Sequence, residues 1–309
     1  MKRTRIATIT GLLLLTAVLW LLPSVGRAAT VTVDCNAGGT IHGVLSSLKP
    51  GDTLLVSGTC NENVFIGEDK HNITLDGQGR ARINGPARDL DTVEVTGRAI
   101  TVKGFAITGG RNGIIVQLGG MARIESNTIQ NAGAVGILVA HHGFAQIVNN
   151  TIQNNPRGGI TLTGVASAYI GFLSIRDTAA RPNTIQGNGS QGITLIRSSH
   201  ARVIGNTISN NKLNGVDITR ASQADVASNT ISGNGQDGIF LSANSGVNLG
   251  SDTGTGIYDS PNTTTANNGG AGIRCSIGSY AAGRLGTLTG AKGAKDFDTT
   301  CIDRLIPTQ

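Results

Sequence analysis

The chain has 309 residues, 45 of them glycine, with only 3% aromatic and 14% charged side chains and a formal net charge of +6. No basic run is interleaved with aromatic residues, which excludes a nucleic-acid-binding module. The positive charge is itself concentrated at the start. Residues 1–28 hold four of the 25 Lys and Arg and none of the 19 Asp and Glu, so the remainder carries 21 minus 19, or +2.

That first segment sets Lys2, Arg3 and Arg5 ahead of an apolar run from Gly11 to Leu22, followed by Pro23, Gly26, Arg27 and Ala28. This is the pattern of a secretory signal peptide, with cleavage expected after Ala28. The run is shorter than the roughly 20 residues a membrane helix needs. The residues before Cys35 do not form a lipoprotein signal, and there is no Arg pair for twin-arginine export. A secreted or periplasmic product is expected, not integral to a membrane once the signal is removed.

Residues 29–72 are expected to form an N-terminal cap. Ile41, Val44, Leu45 and Leu48 fall at the spacing of one helix face, and Pro50 and Gly51 end the segment. Four cysteines, Cys35, Cys60, Cys275 and Cys301, lie two near each end, and disulfides persist in exported chains.

Between the cysteine pairs the chain is periodic. Asn-Thr-Ile starts at Asn127, Asn150, Asn183, Asn206 and Asn229, with Asn-Thr-Thr at Asn262, at intervals of 23, 33, 23, 23 and 33 residues. Gly followed by Ile or Val recurs at Gly113, Gly136, Gly159, Gly192, Gly215, Gly238 and Gly272, at 23, 23, 33, 23, 23 and 34. Two markers holding nearly one period are the signature of a solenoid. Each coil contains short alternating segments, such as Gly192 to Leu195 and Ala201 to Ile204, that read as strands. Stacking makes the strands parallel and places Ile114, Ile137, Ile160, Ile193, Val216 and Ile239 in one inward column. The Asn heading each Asn-Thr-Ile is expected to form a ladder of stacked amides at a corner. Asn210-Asn211 and Gly233-Asn234-Gly235 supply turns. About eight such coils, at about 4.8 Å each, would separate the chain ends by about 38 Å. A disulfide needs Cα atoms within about 7 Å, so Cys35 must pair with Cys60 and Cys275 with Cys301.

These repeats resemble those of the pectin lyase-like superfamily, strongly over residues 73–275. The resemblance implies an all-β fold, a single-stranded right-handed parallel β-helix of coils of about 23 residues. The short helix would cap its N-terminal end, and residues 276–309 would form a C-terminal cap. The superfamily includes pectate lyases, polygalacturonases, epimerases, phage tailspikes and copper-linked periplasmic proteins, so it does not define an activity. The polygalacturonase motifs Asn-Thr-Asp, Asp-Asp and Gly-His-Gly are missing: Asn-Thr is followed here by Ile or Thr, and His142-Gly143 is preceded by His141.

Candidate chemistry rests on the outward residues. Asp217 is expected to face out between Thr194 and Phe240, with Asp237 the nearest further acid, three residues out of register and roughly 11 Å away along the backbone. Two carboxylates are what a glycoside hydrolase requires. Arg197 and Arg220, in neighbouring coils, are placed to grip a uronate or sulfate, because like charges side by side are unfavourable unless an anion lies between them. Arg202 and Asp225, also 23 residues apart, form an opposite-charge cross-strand pair. Two coils are lengthened by ten residues at one corner, the first through Asp177, the second through Asp252 and Asp259. These loops are expected to wall a groove over the coils carrying Arg197, Asp217 and Arg220, and Asp252 and Asp259 are candidate Ca²⁺ ligands. Met121 and the scattered histidines do not form a transition-metal set. Trp20 leaves with the signal, and Phe240 and Tyr169, both expected to face outward, lie on different strands.

The residues support two functions. One is an exported β-helix presenting an extended surface to a polysaccharide, an envelope component or a protein partner. The other is a lyase, hydrolase or epimerase acting on an acidic polysaccharide, with Arg197, Asp217, Arg220 and Asp237 as catalytic residues.

Overall fold

A computed structural model describes residues 28–174, 176–177, 179–250 and 260–306. The expected signal segment up to Arg27, together with Asp252 and Asp259, lies outside the described residues. The chain winds as a parallel β-solenoid whose short strands stack into three sheets of twelve, eight and ten strands. In the order a coil visits them they are termed sheets I, II and III.

Alternation within each strand builds the core. In sheet III, Ile114, Ile137, Ile160, Ile193, Val216 and Ile239 occupy one register column and are fully buried. Sheet I contributes Val102, Ile124, Ile147, Ile170 and Val203, and sheet II contributes Ile107, Ile129, Ile152, Ile185 and Ile208, to the same apolar interior. Each coil therefore depends on its neighbours for burial, and a small second cluster of Phe172, Ile204 and Ala227 lies outside this interior.

The corners are closed by side chains. At the I/II corner Asn127, Asn150, Asn183, Asn206, Asn229 and Asn262 form the expected ladder, each amide nitrogen donating to the amide oxygen of the next Asn at 2.8–3.1 Å. That oxygen also takes the backbone N–H of the Asn below it. A second ladder, Asn155, Asn188, Asn211, Asn234 and Asn268, serves the II/III corner. At the III/I corner the chain turns through two consecutive left-handed residues, among them His141-His142 (φ 47° and 63°), Arg197-Ser198 (both 59°) and Arg220-Ala221 (54° and 60°). A buried Ser199, Ser222, Ser245 and Ser279 column succeeds that turn, each hydroxyl accepting the N–H of the serine below.

The N-terminal helix spans Ile41–Leu45. Thr40 Oγ1 accepts from the Gly43 N–H, and the Glu62 carboxylate accepts from the N–H groups of Ile41 and His42. These bonds satisfy donors that a helix start leaves open. Ile41, Leu45 and Leu48 close the first coil.

The solenoid is longer than the repeat alone indicated. Sheet I has twelve rungs, because coils before Asn127 lack the Asn-Thr-Ile marker yet keep the apolar alternation, as in Leu54, Leu75 and Val102 stacked in register. At the other end, Tyr280–Arg284 and Ile302–Ile306 continue sheet I and Lys295–Phe297 continues sheet III. The segment from 276 thus adds further strands to sheets I and III. Both disulfides pair as expected, with Cα separations of 5.0 Å for Cys35–Cys60 and 5.8 Å for Cys275–Cys301.

Candidate functional site

On sheet III, Asp217 lies between Thr194 and Phe240 in its column. It points away from the core yet is only 7% exposed. Its Oδ2 accepts from Asn214 Nδ2 at 3.0 Å and from Gln191 Nε2 at 3.5 Å. Burial raises this carboxyl above the ordinary aspartate value, the two amides partly offset the rise, and the negative charge of Asp237 adds to it. Desolvation disfavours the ionised form, and a neighbouring anion does the same.

Asp217 is in register with Phe240, which leaves Asp237 three residues out of register with it. Asp237 is 5% exposed and belongs to a side-chain column at the II/III corner. Its Oδ1 accepts the Ala271 N–H at 2.7 Å, and its own N–H donates to Asn214 Oδ1 at 3.0 Å. Asp91 and Asn112 do the same lower in the column, accepting the N–H groups of Asn112 and Val135. The two acids are thus linked through the Asn214 amide, which holds the Asp217 carboxylate with its nitrogen and the Asp237 backbone with its oxygen. One Asp237 oxygen is committed to the backbone, so the pair differs from two carboxylates facing each other across a cleft.

Arg197 and Arg220 stand exposed at the III/I corner, stacked in adjacent coils with the Ser198 N–H donating to the Arg220 carbonyl at 3.0 Å. The Arg197 guanidinium reaches back to Thr163 Oγ1 at 3.3 Å. The lengthened coils leave from the opposite edge of sheet I, after Ile170 and Leu249, at the I/II corner. The corner from which these coils depart and the face that bears Asp217 are thus on different sides of a three-sided coil.

A groove does lie on the outward face of sheet I, lined by residues of its strands, and the first loop packs beneath its edge through the buried Phe172. Phe172 stacks on Tyr169 with centroids 4.8 Å apart, and Phe144 meets Tyr169 edge-on at 5.4 Å. The Arg202 guanidinium carbon lies 5.6 Å from the Tyr169 ring centre and 5.1 Å from that of Phe172, within cation–π range. The loop is pinned by Gln146 Nε2 donating to the Leu173 carbonyl at 2.6 Å and by the Asp177 carboxylate accepting the Leu173 N–H at 2.7 Å. Arg181 lies 3.8 Å from Glu125 and 3.7 Å from Asp177.

The groove has a volume of about 340 Å³. Two outward columns border it. One runs Tyr169, Arg202, Asp225, Asn248, and the other Phe144, Ser167, His200, Gln223, Gly246, Tyr280. Between them the inward-facing Ala168, Ala201 and Ala224 are nearly buried and form a low floor. Arg202 and Asp225 are register partners, as expected. Sequence reasoning missed this face because its aromatics are not adjacent in the chain. The 23, 33, 23, 23 and 34 intervals that align Phe144 with Tyr280 would have revealed the column.

Near the N-terminus, Cys35, Cys60 and Glu62 lie close together, but the sulfurs are bonded to each other and Glu62 caps the helix, so this group does not offer a metal site.

Residues 91–180 and 174–283 match the model of the right handed beta helix region family. Together they cover more than half of the chain, which belongs to this family. A cell surface glycoprotein of Methanothermus fervidus is 32% identical over 87 residues, 28% of this chain and 14% of that protein; the chain thus matches only a small part of that relative. Among solved structures, pectate lyase Pel9A superposes with a TM-score of 0.58 at 13% identity, over 90% of this chain and 80% of that one. The periplasmic alginate epimerase AlgG gives a TM-score of 0.45 at 13% identity, over 90% and 73%. These likenesses at low identity concern the fold.

Proposed function

We propose that this protein is an exported β-helix that holds a segment of a cell-envelope polysaccharide on the outward face of sheet I without turning it over. The observation that carries this reading is the groove itself. It is concave, it has aromatic walls from Phe144, Tyr169 and Tyr280, and it sets Arg202, Asp225, Gln223, His200 and Asn248 around a floor of alanines. Apolar surface with a few converging polar groups is the usual composition of a ligand site. Two disulfides in a chain of this length support an oxidising compartment outside the cytosol. Among the described residues, no helix is long and apolar enough to cross a membrane.

A second reading, catalysis on an acidic polysaccharide, is favoured by one observation. The raised carboxyl of Asp217 would hold a proton closer to neutrality, as a general acid requires, and Arg197 and Arg220 lie at the edge of the same coils to meet a carboxylate.

The test is to pass the purified protein over a panel of immobilised envelope and plant polysaccharides while following the absorbance of unsaturated products and the release of reducing ends. Retention without product is the expected result. Product formation abolished by Asp217→Asn would favour the catalytic reading, and failure to retain any polymer would overturn both.

A further inference from the structure

Resting on the reading that sheet I binds polysaccharide, we infer that its groove takes an uncharged oligosaccharide segment of limited length, lying along the solenoid axis between Phe144 and Tyr280. Three observations define the ligand.

The first is charge. The described outward residues of sheet I from Phe144 to Tyr280 include one cation and one anion, Arg202 and Asp225, paired in register in adjacent strands. The remaining polar groups are Gln146, Ser167, His200, Gln223 and Asn248. A polymer with a carboxylate on every sugar would meet a guanidinium whose charge is already opposed, and would be repelled by Asp225. The two like-charged arginines, Arg197 and Arg220, stand outside the groove on the III/I corner. Sugar hydroxyls suit the groove better, because carboxylate, guanidinium and primary amides each offer two donors or acceptors side by side.

The second is closure of both ends. Phe144 lines this groove and also the next cavity down the same sheet, which contains Asn72, Thr101, Met121 and Arg123, so its ring divides the face in two. At the other end Tyr280 leans back across Gly246, where even a single methyl group would run into the ring. Glycine at 246 is therefore what allows the tyrosine to lie flat over the coil below. Four coil spacings separate Phe144 from Gly246, giving about 19 Å of groove, a length suited to a short oligosaccharide.

The third is the character of the walls. Phe144 and Tyr280 bring aromatic rings to the two ends, and Ala168, Ala201 and Ala224 keep the floor low between the polar columns. The C–H faces of sugar rings pack against aromatic walls while their equatorial hydroxyls meet the polar rows, so the ligand's own amphipathic character matches the groove's.

The experiment is calorimetric titration of the full mature chain with uncharged gluco-, manno- and galacto-oligosaccharides, from disaccharides to octasaccharides, alongside uronate oligomers of equal length. At least one uncharged series should bind, with affinity rising with length and then levelling off once the groove is filled, and with little dependence on salt. Gln223→Ala and Tyr280→Ala should each weaken binding about tenfold, while Lys212→Ala, exposed on the distant II/III corner, leaves it unchanged. Gly246→Ala, which displaces the Tyr280 ring without removing it, should shift the length at which affinity levels off, and thermal melts of each variant separate loss of binding from loss of fold. A preference for the uronate series that falls with salt would overturn the inference while leaving polysaccharide binding in place, and so would affinity that climbs through the longest oligomers. Absence of binding by every oligomer, in a protein that also retains no polymer, would remove the underlying reading as well.

Discussion

Replacing Asn206 by alanine probes the device that holds sheets I and II together beside the groove. The Asn206 amide oxygen accepts the Asn183 backbone N–H at 3.0 Å and the Asn183 side-chain amide at 2.8 Å. Its nitrogen donates to the carbonyls of Ile170 and Ile204 at 2.9 and 3.0 Å and to Asn229 Oδ1 at 3.1 Å. Some partners survive the change: the Asn183 amide keeps the Ile147 carbonyl, and Asn229 Oδ1 keeps the Asn206 N–H. The Asn183 N–H loses its acceptor, and the Ile170 carbonyl loses this donor, both inside the solenoid. A buried polar group deprived of its partner costs about 1–3 kcal/mol, so two of them put the loss near 4 kcal/mol. Denaturant unfolding followed by far-ultraviolet circular dichroism measures the whole, and amide hydrogen exchange localises it. Because a solenoid is stabilised coil by coil, the faster exchange should concentrate in the coils of Asn183, Asn206 and Asn229 and fade toward both ends. A loss below about 1 kcal/mol, or exchange that accelerates uniformly, would refute the idea that the amide ladder closes this corner.

Other consequences can be checked the same way. The Asp217 carboxyl is raised in the folded protein, chiefly by burial, so its ionisation opposes folding: this contribution is favourable in acid and is lost as pH rises from the unfolded aspartate value of about 3.9 through the folded one. Asp217→Asn should therefore raise the melting temperature at neutral pH and leave it little changed in acid. The Asp52 carboxyl is shifted the other way, held down mainly by the N–H of Lys49 and then that of Ala29. Its contribution is present above about 3.9 and disappears as pH falls through the lower folded value, so exchange protection of Ala29 and Lys49 should drop in strong acid and Asp52→Asn should remove that dependence. Reducing either disulfide, which close loops of separation 25 and 26, should cost roughly 3.5 kcal/mol on the loop-entropy scale, and intact-mass measurement should find four fewer hydrogens than in the reduced chain. Arg220 adopts φ 54°, so Arg220→Gly should relieve left-handed strain and stabilise by up to about 1 kcal/mol once the greater freedom of unfolded glycine is allowed for. Destabilisation would instead show that the Arg220 side chain contributes to the corner.

Period and alternation determined most of this protein. Residues 23 apart must stack when every coil has the same length, so the inward isoleucine column, the asparagine ladder at the I/II corner and the pairing of Arg202 with Asp225 were all legible, and the length of the stack settled the partner of each cysteine. The repeat was silent where a marker was lost but the physics persisted: the coils before Asn127, and those after Cys275, keep apolar alternation without Asn-Thr-Ile. Only the three-dimensional path decided the site. A coil has three sides, and spacing along the chain does not say which corner a lengthened loop leaves from. The lengthened coils depart from the I/II corner, after Ile170 and Leu249, whereas Asp217 lies on sheet III and Arg197 and Arg220 on the corner between sheets III and I. Nor does register reveal that Asn214 ties Asp217 to Asp237 while Asp237 holds the Ala271 backbone, because those contacts come from the curl of the II/III corner. Phe144, Tyr169 and Tyr280, scattered over more than 130 positions, become the walls of one groove because stacking brings distant coils within about 5 Å of their neighbours, and a ladder of identical amides holds them there.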